Sequence, residues 1–278
     1  MRLRLRDRVV EIERGRPLVM GILNASPDSF SGNGNPEGAD IVDVGGESGR
    51  TDTAPITPQE EIARVVPVVE RLVADGAVVS VDTWKAEVAR AVLAAGAAMI
   101  NDVSGLRDPA IADACAQHGA ALVLMHTRAE PKVKAFPDYD DVVGDVVAFL
   151  EERMRVAIER GVGEDQIVLD PGPDFAKTPA QTVEVLRRLD EVVALGRPVL
   201  LAVSRKDFVG QVTRRRPRER LAGTLAAVGE GVDRGAAILR VHDVPEVRDF
   251  LAVREALRGE REVPPGPLPT ELRRERAA

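Results

Sequence analysis

Two carboxylates and one carboxamide occupy equivalent places in the pattern of this sequence, and together they could bind a polar ligand. Asp82, Asn101 and Asp170 each come directly after a short apolar segment. Such a set suits a flat heterocycle with N–H donors and ring acceptors, such as a pterin or a purine. For each residue alone, a turn or a helix cap is an equally good explanation. The three together favour ligand binding.

Basic residues follow two later apolar segments. Lys206 could form a Schiff base, contact a phosphate or be a solvated charge, and its spacing does not separate these roles. Arg240 and His242 are two positions apart, so in a strand their side chains point to the same side. They form a candidate anion clamp, in which the guanidinium binds phosphate oxygens and the protonated imidazole donates a hydrogen bond. A structural salt bridge is the alternative explanation.

A repeated pattern of apolar segments is expected to position these residues. The segments lie at 18–23, 41–44, 78–81, 99–100, 122–125, 167–169, 199–203 and 238–239. Helical patterns lie between or after them, at 57–73, 85–95, 109–118, 141–160, 179–189, 218–235 and 245–258. Strands that alternate with helices predict a parallel sheet. About eight such units predict an α/β fold, the (β/α)8 TIM barrel, whose functional residues lie at the carboxyl ends of its strands.

The connection between the first two strands departs from this pattern. Residues 24–39 begin with a polar loop and continue with a stretch too rich in Gly, Asn and Pro for a helix. A parallel crossover usually takes about a dozen residues and a covering helix. We therefore expect the first barrel helix to be missing or replaced by a short loop. The alternative is that the printed chain omits residues of the natural protein.

Composition limits the classes of protein that the chain can represent. With 278 residues, 44% of them hydrophobic, we expect one barrel domain over 1–258 and a charged, Pro-rich, flexible tail over 259–278. A net charge of −7 argues against nucleic-acid binding. No apolar run is long enough to predict a membrane span or a signal peptide, so we expect a cytoplasmic protein. His126 lacks a second His or Cys at ligand spacing, which argues against a zinc site.

Seven phrases of the sequence, taken together, resemble the dihydropteroate synthase family. They are residues 20–31, 40–48, 80–83, 100–105, 169–172, 204–206 and 240–242. Each phrase alone is weak, but their order and spacing are specific and run over nearly the whole barrel. The resemblance implies a transferase of folate synthesis, in which p-aminobenzoate displaces pyrophosphate from 6-hydroxymethyl-7,8-dihydropterin pyrophosphate to give 7,8-dihydropteroate. It also implies a homodimer.

The resemblance further implies a role for individual residues. The pterin would be bound by Asp82, Asn101, Asp170, Lys206 and Arg240. The pyrophosphate would be bound by Asn24, Arg240 and His242, with Asn24 also contacting Mg²⁺. The aminobenzoate pocket would comprise Phe30, Arg50, Phe175 and Lys206, and the catalytic residues would be Asp82, Asp170 and Lys206. A fixed carboxylate such as that of Asp170 would stabilise positive charge on the pterin methylene, and Mg²⁺ would neutralise the leaving group.

The departures from the family pattern all fall on the aminobenzoate half. Ser-Thr-Arg-Pro, Ser-Arg-Lys-Ser and Gly-Phe-Gly-Lys are replaced by residues 48–51, 204–207 and 174–177 of this chain. Asp207 brings a carboxylate where a hydroxyl could donate to the aminobenzoate carboxylate, and two like charges in contact repel by about 1 kcal/mol in water. The pterin half matches the family. An altered second pocket would lower sensitivity to sulfonamides, which mimic aminobenzoate.

Four interpretations follow from these observations. We favour a working dihydropteroate synthase with an altered second-substrate pocket. The main alternative is a diverged paralogue that binds the pterin pyrophosphate without condensing it with p-aminobenzoate. A pterin-binding methyltransferase domain would need a corrinoid partner, and the phrases that end in Lys206 and His242 speak against it. A Schiff-base aldolase that uses Lys206 comes last.

Overall fold

Eight parallel strands form the centre of the computed structural model, which describes residues 1–25, 37–47 and 53–273. An antiparallel pair, β1 (Arg2–Leu5) and β2 (Arg8–Glu11), precedes them. The parallel strands are β3 (Leu18–Asn24), β4 (Ile41–Gly45), β5 (Val79–Asp82), β6 (Met99–Asp102), β7 (Ala121–Met125), β8 (Ile167–Asp170), β9 (Leu200–Leu201) and β10 (Ile238–Val241). Their order is β8-β7-β6-β5-β4-β3-β10-β9, and a single bridge between Leu169 and Val199 joins β8 to the chain entering β9. The predicted barrel is confirmed, nearly closed and with one weak seam.

Helices follow the strands and cover the outside of the barrel. They are α1 (Pro58–Ala74), α2 (Ala86–Ala94), α3 (Ala110–His118), α4 (Val142–Glu159), α5 (Pro179–Arg187), α6 (Leu189–Val193), α7 (Asp207–Thr213), α8 (Leu221–Asp233) and α9 (Val244–Leu257). The helix predicted at 179–189 ends earlier than expected, because Arg188 leaves the helical conformation and separates α5 from α6. The sequence analysis also did not predict α7, which directly follows the phrase that ends in Lys206.

Capping explains where two of these helices begin. The Thr57 hydroxyl accepts from the Glu60 N–H at 3.2 Å, and the Glu60 carboxylate accepts from the Thr57 N–H at 2.7 Å. The same reciprocal pair joins Thr178 and Gln181 at the start of α5. In both helices proline follows the cap, where its missing N–H costs no hydrogen bond. The beginning of α1 is therefore confirmed as the sequence predicts it.

The hairpin of β1 and β2 was not predicted from the sequence. Leu3, Leu5 and Ile12 are buried, and they belong to one apolar cluster with residues from the first half of the barrel strands, including Met20 and Val168. These strand residues lie toward the amino ends of the strands. The hairpin therefore closes the amino end of the barrel interior and leaves the carboxyl end for the functional residues.

Some sequence predictions fall outside the part of the chain that the structure describes. The prediction that the first barrel helix is missing falls mainly on residues 26–36, which are not described. The described residues 37–40 form only a turn and a bend. Phe30 and Arg50 of the predicted aminobenzoate pocket also lie outside the described residues. Of the helices within 1–25, 37–47 and 53–273, none is long and apolar enough to cross a membrane. The division into a barrel over 1–258 and a tail stays a prediction.

Candidate functional site

A cavity of about 750 Å³ opens at the carboxyl ends of the strands. Of the ten residues predicted for the site, the eight that the structure describes line this cavity: Asn24, Asp82, Asn101, Asp170, Phe175, Lys206, Arg240 and His242. They come from six strands or the loops that follow them, and the barrel brings them together because parallel strands present their carboxyl ends to one face.

Arg240 lies in a polar cluster that joins four strands. Its Nε donates to Asp43 Oδ2 at 2.6 Å, and one terminal nitrogen donates to Asp82 Oδ2 at 2.8 Å. Asn101 Nδ2 also donates to Asp43 Oδ2, at 3.1 Å. The side chain of Arg240 is only 18% exposed. Asp43, fully buried within β4, is a residue that the sequence analysis missed. An aspartate inside an apolar strand is the signal that could have revealed it, because a buried carboxylate needs a partner.

The charges of this cluster are set by burial and by each other. Burial raises the pKa of Asp82, the Arg240 guanidinium opposes that rise, and the Asp43 carboxylate adds to it. Burial lowers the pKa of Arg240, but the carboxylates of Asp43 and Asp82 raise it by more. The net pKa is therefore raised, and the guanidinium stays charged. Asp43 Oδ1 and Asn101 Oδ1 are buried and have no hydrogen-bond partner within the described part of the chain. Of the two residues only Asn101 lines the cavity, where its oxygen is an acceptor available to the N–H groups of a ligand.

Asp170 and Lys206 face the same cavity from β8 and the loop after β9. Asp170 Oδ1 accepts a hydrogen bond from the Gly172 N–H at 2.7 Å. Burial raises the pKa of Asp170, while that hydrogen bond and the positive charge of Lys206 lower it. The ammonium of Lys206 lies 4.4 Å from the centroid of the Phe175 ring, a cation–π contact. Burial lowers the pKa of Lys206, and Asp174 and Asp170 oppose this.

His242 is fixed by one serine through two hydrogen bonds. The Ser204 hydroxyl accepts from the His242 N–H at 3.2 Å and lies 2.9 Å from Nδ1. A hydroxyl that donates to Nδ1 leaves the proton on Nε2. Burial lowers the pKa of His242 to about 4, with help from the charges of Arg205 and Arg240. In the ligand-free site the ring is therefore uncharged at neutral pH, and its Nε2–H can donate to an anion; that the imidazole binds an anion in its protonated form stays a prediction.

Asn24 ends β3, directly beside β10, which carries Arg240. Within the described residues, no group of three or more His, Cys, Asp or Glu side chains could hold a metal ion. Mg²⁺ commonly takes one or two protein oxygens and completes its shell with phosphate and water. The carboxamide of Asn24 at the cavity wall is such an oxygen ligand. The donor set therefore fits Mg²⁺ that arrives with a pyrophosphate, and not a resident metal centre.

Asp174 lies in the half of the site where the sequence departs from the family. Its φ of +63° is in the left-handed region, which favours glycine. Three hydrogen bonds hold it there: its N–H donates to Thr182 Oγ1 at 3.0 Å, Thr182 Oγ1 donates to its Oδ1 at 3.0 Å, and the Asp207 N–H donates to its Oδ2. The carboxylate thus ties the loop after β8 to the start of α7. The sequence analysis noted this substitution but did not predict these bonds.

Asp207 is less repulsive toward an anionic ligand than the sequence suggests. Its side chain is 62% exposed, and its carboxylate pairs with Arg220 at 3.2 Å and with Lys134 at 3.7 Å. Two cations near the carboxylate offset its charge, and solvent screens it further. Residue 207 is therefore no decisive barrier to an acceptor that carries a carboxylate.

Replacing Gly172 with alanine is expected to lower the free energy of unfolding by about 3 kcal/mol. A Cβ at this position would lie 2.0 Å from the main-chain oxygen of His126, and its φ of +65° is in the left-handed region. Urea denaturation would measure the change. Gly76→Ala is the matched control, because Gly76 has φ of +85° but no atom within 4 Å of its added Cβ. Equal losses in the two variants would contradict the predicted clash.

Comparison with known proteins gives one family. The family model described as "Pterin binding enzyme" matches residues 20–242. The dihydropteroate synthase of Bacillus subtilis is 41% identical over 259 residues, which cover 87% of this chain and 89% of that protein. The dihydropteroate synthase of Escherichia coli is 38% identical over 262 residues, covering 88% and 93% respectively.

Solved structures agree with this result. Dihydropteroate synthase from Xanthomonas albilineans, solved with 4-aminobenzoic acid, superposes with a TM-score of 0.84 at 43% identity, covering 95% of this chain and 99% of that chain. The same enzyme solved with 7,8-dihydropteroate superposes with a TM-score of 0.81 at 41% identity, covering 95% and 99%. The chain therefore belongs to the pterin-binding enzyme family, and within it to the dihydropteroate synthases.

Proposed function

We propose that this protein is a transferase that joins p-aminobenzoate to 6-hydroxymethyl-7,8-dihydropterin pyrophosphate, releasing pyrophosphate and forming 7,8-dihydropteroate. The observation that carries the proposal is the cluster of Asp43, Asp82, Asn101 and Arg240 beside Asp170 in one cavity. Relatives that are about 40% identical bear the name of this activity, and the Xanthomonas enzyme has been solved with 4-aminobenzoic acid and with the product.

The polar cluster suits the pterin ring. Asp82 and Asp170 would accept from its N–H groups, while the unused oxygen of Asn101 adds an acceptor. Lys206 and Arg240 supply donors for the ring nitrogen and carbonyl acceptors. Because these groups are fixed by each other before a ligand arrives, little ordering is needed on binding.

The pyrophosphate would lie beside β3 and β10. Arg240 contributes charge, the Nε2–H of His242 donates a neutral hydrogen bond, and Asn24 adds a carboxamide. Bound Mg²⁺, held by Asn24 and phosphate oxygens, would supply charge neutralisation of the leaving group.

The reaction exchanges one bond at the pterin methylene for another. The C–O bond to pyrophosphate breaks with its electron pair leaving on oxygen, and the amine nitrogen of p-aminobenzoate forms the new C–N bond and then loses a proton. Asp170 would stabilise the positive charge that develops on the pterin. Phe175 and Lys206 would line the aminobenzoate pocket together with Phe30 and Arg50. Small-molecule substrates are thus the partners, while the homodimer and the cytoplasmic location stay predictions.

Pyrophosphate release tests the proposal directly. The purified protein is incubated with the pterin pyrophosphate and Mg²⁺, with and without p-aminobenzoate, and the pterin product is identified by mass spectrometry. Release that depends on p-aminobenzoate and yields dihydropteroate is expected. Tight pterin binding without dependent release would contradict it and favour a paralogue that binds the pterin pyrophosphate alone.

A further inference from the structure

A buried lysine that the proposed reaction does not use lies beneath the site. Lys177 is 1% exposed, and its Nζ has three partners. It donates to the carbonyl oxygens of Gly172 and Phe175, both at 3.1 Å, and lies 2.6 Å from Nδ1 of His126. An ammonium has three N–H donors, so its hydrogen-bonding capacity is fully used.

The hydrogen bonds around His126 determine which of its ring nitrogens faces Lys177 without a proton. His126 Nε2 lies 2.8 Å from Asp145 Oδ2, and Arg128 donates to both oxygens of that carboxylate at 3.0 and 2.6 Å. A carboxylate only accepts, so Nε2 carries the proton and Nδ1 accepts from Lys177. Burial lowers the pKa of His126 to about 3, which keeps the ring neutral. A charged lysine, a neutral histidine and a charged aspartate satisfy every hydrogen bond between Lys177, His126 and Asp145.

The two carbonyls that accept hydrogen bonds from Lys177 lie at the two ends of a turn, residues 172–175, whose other groups contact Asp170 and Lys206. The N–H of Gly172 donates to Asp170, and the ring of Phe175 contacts Lys206. A further bond, from the Phe175 N–H to the Gly172 carbonyl at 3.1 Å, closes the turn. The position of one ammonium therefore determines where the turn places both the carboxylate donor and the aromatic ring.

We propose that Lys177, held by His126 and Asp145, is a positioning residue for the transfer reaction. Its ammonium fixes the turn of residues 172–175, which holds the Gly172 N–H against the Asp170 carboxylate. The inference rests on the proposed function and deepens it, because neither Lys177 nor His126 contacts the reacting atoms. It also gives a role to His126, for which the sequence offered none.

The charges around the two groups determine the sign of a pH effect. Asp170 faces the cations Lys206, Lys177 and Arg240, all of which lower its pKa against the effect of burial. Burial lowers the pKa of Lys177 to about 7, although the carboxylates of Asp170, Asp145 and Asp174 oppose this and Lys206 adds to it. Removing the charge of Lys177 must therefore raise the pKa of Asp170. As the pH is lowered, the variant then loses the activity that needs the Asp170 carboxylate at a higher pH than the wild type does.

Two variants and one control test the inference in full-length protein. Lys177→Met removes the charge and the three bonds. Asp145→Asn keeps the shape of the chain but removes the negative charge that stabilises the ammonium. Arg160→Gln breaks an exposed pair with Asp113, 3.0 Å long, which lies outside the site and serves as the control. Steady-state rates are measured between pH 5 and 9, together with KM for aminobenzoate and binding of the pterin pyrophosphate at pH 8.5.

The expected results separate positioning from simple destabilisation. In Lys177→Met the acid limb of the kcat profile moves up by about one pH unit, and KM for aminobenzoate rises about tenfold with pterin binding nearly unchanged. In Asp145→Asn, Lys177 loses its proton more readily, so the alkaline limb moves down by about one unit. Losses that are equal at every pH, or profiles like that of Arg160→Gln, would overturn the inference. Wild-type protein that forms no dihydropteroate would overturn the proposed function, and the inference with it.

Discussion

Replacing Arg240 with methionine is expected to lower kcat/KM about a thousandfold and the free energy of unfolding by about 3–5 kcal/mol. The guanidinium pairs with Asp43 and Asp82, and without it two buried carboxylates lose their cation. The same side chain is the main charge available to the pyrophosphate. Steady-state kinetics and urea denaturation would measure the two losses separately.

The loss of stability in Arg240→Met should depend on pH. Burial raises the folded-state pKa of Asp82, and without the guanidinium that rise loses its main opposing charge. The folded state then binds more protons than the unfolded chain, so stability falls as pH rises from the unfolded-state pKa of Asp82 to its folded-state pKa. The variant should therefore be closest to wild type near pH 5. Adding Asp82→Asn should restore part of the stability at pH 8 but none of the activity. A double variant as unstable as the single one would contradict this explanation.

Replacing Asp170 with asparagine is expected to lower kcat between about a hundredfold and a thousandfold. Asparagine keeps the shape and can still accept the bond from Gly172, but it cannot offset positive charge on the pterin methylene. Affinity for the pterin pyrophosphate should fall by about tenfold or less, because only one acceptor contact is weakened. Single-turnover rates and calorimetric binding would separate the chemical step from binding.

Asp102→Asn is the matched control for Asp170→Asn. Asp102 is also fully buried at the end of a strand, but its oxygens accept from the Ser104 N–H, the Ser104 hydroxyl and the Leu106 N–H of its own loop. Its substitution should lower stability while kcat stays within a few-fold of wild type. An unchanged kcat in Asp170→Asn, with only weaker binding, would assign Asp170 to pterin binding alone.

The barrel could be predicted because each strand carries two kinds of information. Its apolar residues form a short continuous run, and the polar residue after the run has no role in a buried core. Asp82 and Asp170 end their strands, Asn101 lies one residue before the end of β6, and the capping box at Thr57 gives the start of α1 directly. Local chemistry thus determined the positions of the strand ends, and closure of the sheet brought those ends together.

What the sequence analysis missed depends on contacts between distant segments. The role of Asp43 is visible only when Arg240, almost two hundred residues later, is placed beside it. The bonds of Asp174 need α5 and α7 to be in position. The amino-terminal hairpin is different, since Arg2 to Leu5 alternate polar and apolar residues, and this period of two is a local signal that predicts a strand.

The seam between β8 and β9 has a consequence for how the protein loses activity on heating. β4 is hydrogen-bonded to both neighbours over several residues, whereas β8 meets the chain entering β9 at one bridge. Local opening starts where the fewest bonds must break, and Asp170 ends β8 at that seam. The Arg240 cluster lies across β10, β4, β5 and β6 and does not include that bridge. Thermal inactivation should therefore precede global unfolding, leaving a warm protein whose Arg240 cluster is still folded but which no longer holds its substrates for reaction.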